Sequence, residues 1–248
     1  MPSMLITGGS AGIGAATARL AARDGYDVGL TYNSDRRSAE ALVAEIEAQG
    51  PRAVAIQADI CSAEACDAMF AAHVSALGTP TVALLNAGIV PPRTRPLAEA
   101  TPAEITDVIT TNTTGMLFSA RAAIRRMGTD YGGKGGVLIL MSSVAARVGN
   151  PGEFVDYAAS KAAVDAMVIG LSKELGPQGI RVCGIRPGLI DTDIHAKGGA
   201  PDRAARLGGA TPLGRAGHAD EVAEAVMFLA SERSSYTTGT WLDIAGGR

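Results

Sequence analysis

Cysteine and aromatic residues are scarce in this chain of 248 residues, and their scarcity excludes several classes of protein. The cysteines Cys61, Cys66 and Cys183 are odd in number and follow no metal-binding spacing, which argues against a disulfide scaffold or a zinc module. The few histidines lie far apart in the sequence and form no ligand set, so we predict no metal site. We expect reduced thiols in a cytoplasmic protein.

Long hydrophobic runs and a strong excess of charge are absent as well. No apolar run approaches the ~18–20 residues that a membrane span requires, so we expect no membrane partner. The first residues, MPSMLITGGS, carry no charged leader before the apolar stretch, so we expect a soluble, untargeted chain. The formal net charge of −3 gives no reason to expect nucleic acid as a partner.

Short apolar runs alternate with longer amphipathic segments along the chain. Apolar residues make up 47% of the sequence and aromatic residues only 4%, so the predicted core is mainly aliphatic. Continuous apolar runs are typical of parallel strands that are covered on both faces. The predicted strands are 4–7, 27–32, 53–57, 81–86, 137–142, 180–185 and 240–244. The predicted helices are 12–23, 36–48, 62–77, 102–127, 155–175 and 219–231.

This alternation predicts an α/β fold, with a doubly wound, Rossmann-like parallel sheet of about seven strands and helices on both faces. The length of the chain and the lack of a linker predict a single domain over 1–248. The stretch 191–215 is rich in Gly, Ala and Arg and has no strand signal, which makes it a candidate substrate lid. We expect its basic side chains, Lys197, Arg203 and Arg206, to be exposed to solvent.

The first predicted strand leads directly into a glycine-rich turn, TGGSAGIG (7–14), which opens the first helix. Gly8 and Gly12 permit unusual backbone angles and the close approach of a phosphate, while Gly14 allows the helix to pack near the strand. The N-terminus of the helix offers unpaired N–H groups to an anion. The spacing G-x-x-x-G-x-G differs from G-x-G-x-x-G, and a tight turn alone would also explain it. Its position after the first strand favours a dinucleotide site.

Several further motifs follow in order, and together with TGGSAGIG they resemble the short-chain dehydrogenase/reductase family over nearly the whole chain. They are ADI (58–60), NAG (86–88), TNTTG (111–115), MSS (141–143), YAASK (157–161) and RPG (186–188) followed by Thr192. The resemblance implies a nicotinamide cofactor and hydride transfer between a carbonyl and a secondary alcohol. The alternatives are an NAD-dependent sugar or polyol dehydrogenase of the same family and a dinucleotide-binding sensor without turnover.

The resemblance also implies site residues. The implied catalytic set is Asn112, Ser143, Tyr157 and Lys161. Ser142 stays open as an alternative to Ser143, because Ser143 lies fourteen positions before Tyr157, which is slightly more than is common. Besides Tyr157 and Lys161, the implied cofactor contacts are Gly8, Ser10, Gly12, Ile13, Gly14, Tyr32, Asn33, Ser34, Asp59, Ile60, Asn86, Ala87, Gly88, Pro187, Gly188, Ile190 and Thr192.

Each member of the implied catalytic set has an expected role. Tyr157 is the acid in reduction and the base in oxidation, and Lys161, one helical turn on, is expected to lower the pKa of its phenol and to bind the nicotinamide ribose. Ser143 is expected to hydrogen-bond the substrate oxygen, and Asn112 to hold a water that relays the proton from Lys161 to solvent. Cys183 occupies a position where many relatives have Asn, which removes a polar side chain expected next to the active region.

The end of the second predicted strand bears on the choice of cofactor. The sequence TYNSDRR (31–37) places Tyr32 where NAD-preferring proteins of this architecture usually carry an acidic residue. Asn33 and Ser34 could hydrogen-bond a 2′-phosphate, and Arg36 or Arg37 could neutralise it. The nearby Asp35, and Ala11 in place of a basic residue before Gly12, favour NAD. We predict NADP, with NAD as the second choice.

Two helices carry apolar residues on nearly all sides, in 166–171 (AMVIGL) and around 112–124. A helix that is apolar all round is usually buried, and a helix on the outside of a sheet can be covered by another subunit. Together with the family resemblance, this predicts a homotetramer.

Overall fold

Seven parallel strands form the central sheet of the protein, in a computed structural model that describes residues 1–192, 196 and 198–248. The strands are β1 (Ser3–Ile6), β2 (Asp27–Tyr32), β3 (Ala53–Gln57), β4 (Val82–Leu85), β5 (Gly136–Met141), β6 (Ile180–Pro187) and β9 (Thr240–Ile244). Between the last two lie the short strands β7 (Ile190–Asp191) and β8 (Gly217–His218), which pair with each other. The sheet order is β3-β2-β1-β4-β5-β6-β9, and the doubly wound fold predicted from the sequence is confirmed.

Helices cover the sheet on both sides. They are α1 (Gly12–Arg23), α2 (Arg36–Glu47), α3 (Ala63–Leu77), α4 (Pro102–Ile109), α5 (Gly115–Met127), α6 (Ala145–Val148), α7 (Val155–Leu175), α8 (Arg203–Gly208) and α9 (Ala219–Ala230). The single helix predicted over 102–127 is divided by a π-helical turn at Thr110–Thr114. Such turns are frequent at functional sites, and this one carries Asn112.

The core has two layers, one on each face of the sheet. In β1, Met4 and Ile6 belong to one buried cluster and Leu5 to the other, because successive side chains of a strand point to opposite faces. All three are fully buried, which explains why β1 reads as a continuous apolar run.

The strand order reverses between β1 and β4, since β2 and β3 extend the sheet on one side and β4 to β9 on the other. Ligands of open α/β sheets bind beside the carboxyl ends of strands at such a point. None of the helices in the described ranges is long and apolar enough to cross a membrane.

Candidate active site

A cleft of about 860 Å³ lies along the carboxyl edge of the sheet. It brings together residues from every motif that the sequence singled out. Predicted residues on its wall are Gly8, Ser10, Gly12, Ile13, Tyr32, Asn33, Ser34, Asp59, Ile60, Asn86, Ala87, Gly88, Ser143, Tyr157, Lys161, Pro187, Gly188, Ile190 and Thr192. Two predicted residues do not line the cleft: Gly14 and Asn112 lie behind its wall.

The glycine-rich turn has the geometry of an anion cradle. Gly8 and Gly12 have φ angles of 63° and 51°, in the left-handed region that favours glycine. A side chain at Gly14 would overlap the carbonyl oxygen of Gly8, so a glycine is required here for α1 to pack closely against the turn. The N-cap residue of α1, Ala11, gives no side-chain acceptor to the first turn of the helix. These features fit a dinucleotide phosphate at the start of α1.

Asn86 fixes this turn to the neighbouring strand. Its amide donates to the carbonyl oxygens of Thr7 and Gly8, at 3.1 and 3.0 Å. Asp59 accepts from the backbone N–H of Cys61 at 2.9 Å and does not cap a helix. The N-cap of α3 is Ser62, so Asp59 is left on the cleft wall.

Tyr157 lies in the first turns of α7 and lines the cleft beside Ser143 from the loop after β5. Burial raises the pKa of the Tyr157 phenol, and the Ser143 contact acts in the opposite direction. The structure therefore differs from the expectation that Lys161 lowers this pKa. The physical reason is that burial is the larger of the effects on the phenol, and Lys161, whose Nζ is 5.7 Å from the centre of the tyrosine ring, does not reverse it.

Lys161 is almost fully buried, at 3% exposure. Its Nζ donates to the carbonyl oxygen of Met141 at 2.9 Å. Burial lowers the pKa of Lys161 from 10.5 to about 8, and the carboxylate of Asp165 acts in the opposite direction. Lys161 is thus poised to change charge close to physiological pH.

Ser142 and Ser143 have different surroundings. The Ser142 hydroxyl donates to Asp165 Oδ1 at 2.7 Å and lies 3.1 Å from the Lys161 carbonyl oxygen. Ser143 contacts Tyr157 instead. Of the two serines left open by the sequence, Ser143 has the geometry to meet a substrate oxygen beside the phenol.

Asn112 serves as a clamp in the π-helical turn. Its Oδ1 accepts from the backbone N–H of Ile89 at 2.8 Å, and its Nδ2 donates to the Ile89 carbonyl oxygen at 2.9 Å and to Ser160 Oγ at 3.1 Å. This pattern fixes the segment after β4 against α7. Asn112 therefore has a structural role, because its side chain joins two separate segments of the fold.

Comparison with known proteins identifies the family. The sequence model of a family described as enoyl-(acyl carrier protein) reductase matches residues 8–248. The chain is 45% identical to the uncharacterized oxidoreductase YgfF of Escherichia coli (strain K12), with 100% of both chains covered. It is 36% identical to the 3-oxoacyl-(acyl-carrier-protein) reductase FabG of Staphylococcus aureus, over 99% of this chain and 97% of that one. A short chain dehydrogenase from Burkholderia cenocepacia J2315, solved in complex with NADP, aligns with a TM-score of 0.90 at 35% identity, covering 99% and 97% of the two chains.

This chain belongs to the short-chain dehydrogenase/reductase family. It is an NAD(P)-dependent oxidoreductase that interconverts carbonyl and alcohol groups, as the sequence predicted. The alternative of a binding protein without turnover is therefore set aside.

The remaining end of the cleft in this short-chain dehydrogenase/reductase is mostly apolar. Its wall includes Val144, Val148, Phe154 and Leu189, none of which the motifs pointed to. Asn150 also lines it and is the non-glycine residue with a positive φ, 43°, in the part of the chain that the structure describes. No spacing rule in the sequence indicates such residues, because they belong to loops that only the folded chain brings together.

Arg203 corrects one expectation about the 191–215 segment of this dehydrogenase/reductase. It was expected in solvent, but it is only 7% exposed and lines the cleft. Its guanidinium makes two hydrogen bonds with Glu153, at 3.0 and 2.6 Å, and lies 5.5 Å from the ring of Phe154. Arg206 is exposed as expected, and Lys197 lies outside the described residues, as do residues 193–195 of the candidate lid.

Cys183 corrects another expectation. Its side chain was expected next to the active region, but it is fully buried in the core layer that contains Val222 and Val226 of α9. Its thiol donates to the carbonyl oxygen of Thr237 at 3.3 Å. A residue of β6 whose side chain points to that face of the sheet does not contribute to the cleft.

Proposed function

We propose that this enzyme transfers hydride between NADP(H) and a carbonyl or secondary alcohol, with Tyr157 as the general acid and base. Tyr157, Ser143 and Lys161 lie together on the cleft wall, with Lys161 Nζ 5.7 Å from the centre of the tyrosine ring, and this arrangement is the observation that carries the proposal. Carbonyl reduction requires hydrogen-bond donors to the substrate oxygen. The hydroxyl groups of Tyr157 and Ser143 can supply two such donors.

The cofactor, when bound, supplies the hydride, and the chain supplies its cradle. In the proposal, the turn of Gly8 and Gly12 and the start of α1 bind the pyrophosphate, Asp59 and Ile60 flank the adenine, and the segment from Pro187 to Thr192 borders the nicotinamide. Asn86 holds the turn in place. Lys161 binds the nicotinamide ribose.

Tyr157 handles the proton of the reaction. A phenol whose pKa is raised by burial remains protonated at neutral pH, so it is ready to donate to an oxygen that gains negative charge. In oxidation the phenolate is required, and positive charge from Lys161 favours it. Ser143 holds the substrate oxygen, and a water at Asn112 relays the proton from Lys161 to solvent.

The preference for NADP rests on the loop after β2. Asn33 and Ser34 line the cleft and can hydrogen-bond a 2′-phosphate, and Arg36 and Arg37 begin α2 beside them. NAD is the second candidate because Asp35 also lines the cleft, while Arg36 is paired with Glu40 at 2.6 Å. The solved NADP complex of the Burkholderia relative supports the first choice.

A substrate panel assayed with NADPH and with NADH tests the proposal. The panel spans acyl thioesters, sugars and small ketones, and the loss of reduced-cofactor absorbance is measured. We expect turnover of at least one class, and a larger kcat/KM for NADPH than for NADH. A strong preference for NADH would overturn the choice of cofactor, and no turnover of any class would overturn the proposed reaction.

Segment 191–215 is proposed to cover the substrate end of the cleft. Gly198, Ala200 and Arg203 lie on the cleft wall, which supports this assignment. We also propose a single domain over 1–248. A cytoplasmic location is proposed because all three cysteines are free thiols.

A homotetramer is proposed as the assembly. Apolar side chains are left open on the outer faces of α5 and α7, where Leu117 and Ile169 are 48% and 45% exposed. Light scattering is expected to give the mass of four chains, and Ile169→Glu to reduce it. Leu97→Glu is the control, because Leu97 is equally exposed but lies on neither helix. A monomeric wild type at micromolar concentration would refute the assembly.

A further inference from the structure

A chain of polar side chains that the proposed reaction does not use begins at the cleft wall. It begins at the Ser142 hydroxyl, 3.1 Å from the carbonyl oxygen of Lys161 and 2.7 Å from Asp165 Oδ1. The other oxygen of Asp165 accepts from Arg186 Nε and Nη2, at 3.0 and 2.8 Å. A charged pair is thus connected to the residue that binds the cofactor ribose in the proposed function.

Arg186 is held firmly at the far side of this pair. Its guanidinium stacks at 4.4 Å over the ring of Trp241, and its Nη1 is 3.6 Å from Asp243. Asp243 in turn pairs with Arg147 at 3.1 Å. The side chains of Asp165 and Arg186 are only 15% and 16% exposed, so their charges are weakly screened by water.

We propose that Asp165 and Arg186 are positioning residues that hold Lys161 and set its charge state. Asp165 follows Lys161 by one turn of α7, which places both side chains on the same face of the helix. The carboxylate favours the ammonium form of Lys161, and Arg186 limits this effect by neutralising the carboxylate. The inference rests on the proposed role of Lys161 in cofactor binding.

The surroundings of Lys161 make the pair effective. Tyr157 and Asp165 face it from its own helix, and Arg186 of β6 lies behind Asp165. The loop after β5 and the π-helical turn contribute the uncharged Ser142 and Asn112. Because burial opposes the charge of Lys161 and Asp165 favours it, a change in this pair alters the protonation of Lys161 directly.

The test measures NADPH affinity by fluorescence from about pH 7 to about pH 10. In the wild type we expect affinity to fall as pH rises through about 8, where Lys161 loses its proton. Asp165→Asn removes the carboxylate that favours the ammonium form of Lys161 and should move this midpoint down by about half a unit or more. Arg186→Met leaves Asp165 unpaired and should move it up by a similar amount. Lys161→Met should remove the transition.

Controls separate this role from a structural one. Arg186→Lys keeps the charge and should restore the wild-type midpoint, while Glu174→Gln on the exposed side of α7 should leave it unchanged. If Arg186→Met does not fold, the double variant with Asp165→Asn carries the test, and its midpoint should return toward the wild-type value. General damage to the site would move both single variants in the same direction.

Shifts in one direction for both single variants, or no pH transition in the wild type, would overturn the inference. The readout requires no turnover. Opposite shifts without turnover on the substrate panel would therefore refute the proposed reaction and leave the role of the pair intact.

Discussion

Replacing Tyr157 with phenylalanine is expected to abolish turnover while the cofactor still binds. The substitution removes only the hydroxyl, and the ring can still fill its place in the first turns of α7. The loss should be at least ~10²–10⁴-fold in kcat, the typical contribution of a positioned acid or base. Turnover is measured with the best substrate of the panel, and cofactor affinity by fluorescence.

Tyr236→Phe is the matched control for this experiment. Tyr236 is fully exposed to solvent, so the loss of its hydroxyl should change neither kcat nor cofactor affinity. A Tyr157→Phe enzyme that retains kcat near that of the wild type would show that another group supplies the proton. Loss of cofactor binding in the variant would instead indicate that the phenol contributes to the cradle.

Local periodicity was sufficient to predict the sheet and most of the helices. Met4, Leu5 and Ile6 are all buried because helices cover both faces of β1, and such strands are readable as continuous apolar runs. The π-helical turn at Thr110–Thr114 could not be predicted in this way. Its sequence, TTNTT, does not disrupt the apolar pattern on either side, and one extra residue in a turn leaves no mark in composition.

The candidate residues Asn112, Ser143, Tyr157 and Lys161 could be selected from the sequence because they occur in motifs, whereas the pKa shifts of Tyr157 and Lys161 could not be predicted. The helical spacing of Tyr157 and Lys161 shows that they share a face, but it contains no information on burial. Burial raises the pKa of Tyr157 and lowers the pKa of Lys161. Only the packed structure shows that both groups are buried and that their pKa values shift in opposite directions.

Ion pairs between residues far apart in the sequence could not be predicted either. Arg203 looks like a solvated residue of a glycine-rich segment, and only its contact with Glu153, fifty positions away, explains its burial. The same holds for Arg186 and Asp165, which come from β6 and α7. A pairing between distant charges leaves no periodic signal, so these residues are found from contacts alone.

Replacing Lys161 with methionine is expected to lower turnover and cofactor affinity sharply. Methionine can occupy a similar buried volume without the charge, so it removes the group that, in the proposed function, favours the phenolate and binds the ribose. Both kcat and NADPH affinity should fall. Unchanged cofactor affinity would argue against the proposed dual role of Lys161.

The same substitution is expected to change stability in a way that depends on pH. The pKa of Lys161 is about 8 in the folded protein against 10.5 in the unfolded chain, so between these values the unfolded state binds more protons. Wild-type stability should therefore rise with pH in this interval, while the Lys161→Met variant lacks this contribution. Below pH 8 the buried ammonium costs the wild type up to about 3 kcal/mol, at ~1.36 kcal/mol per unit. The Lys161→Met variant avoids this cost but loses the hydrogen bond to the Met141 carbonyl oxygen. That loss destabilises the variant by about 1–3 kcal/mol at every pH.

The decisive measurement is the difference in unfolding free energy between variant and wild type. It is obtained by chemical denaturation at a series of pH values from about pH 7 to about pH 10. The variant should lose stability relative to the wild type as pH rises, because the wild type is relieved of its buried charge. Lys173→Met, at an exposed position of the same helix, should show no such trend. A constant difference, or one that changes in favour of the variant with rising pH, would mean that Lys161 keeps its charge in the folded protein throughout, and that burial does not poise it for proton exchange.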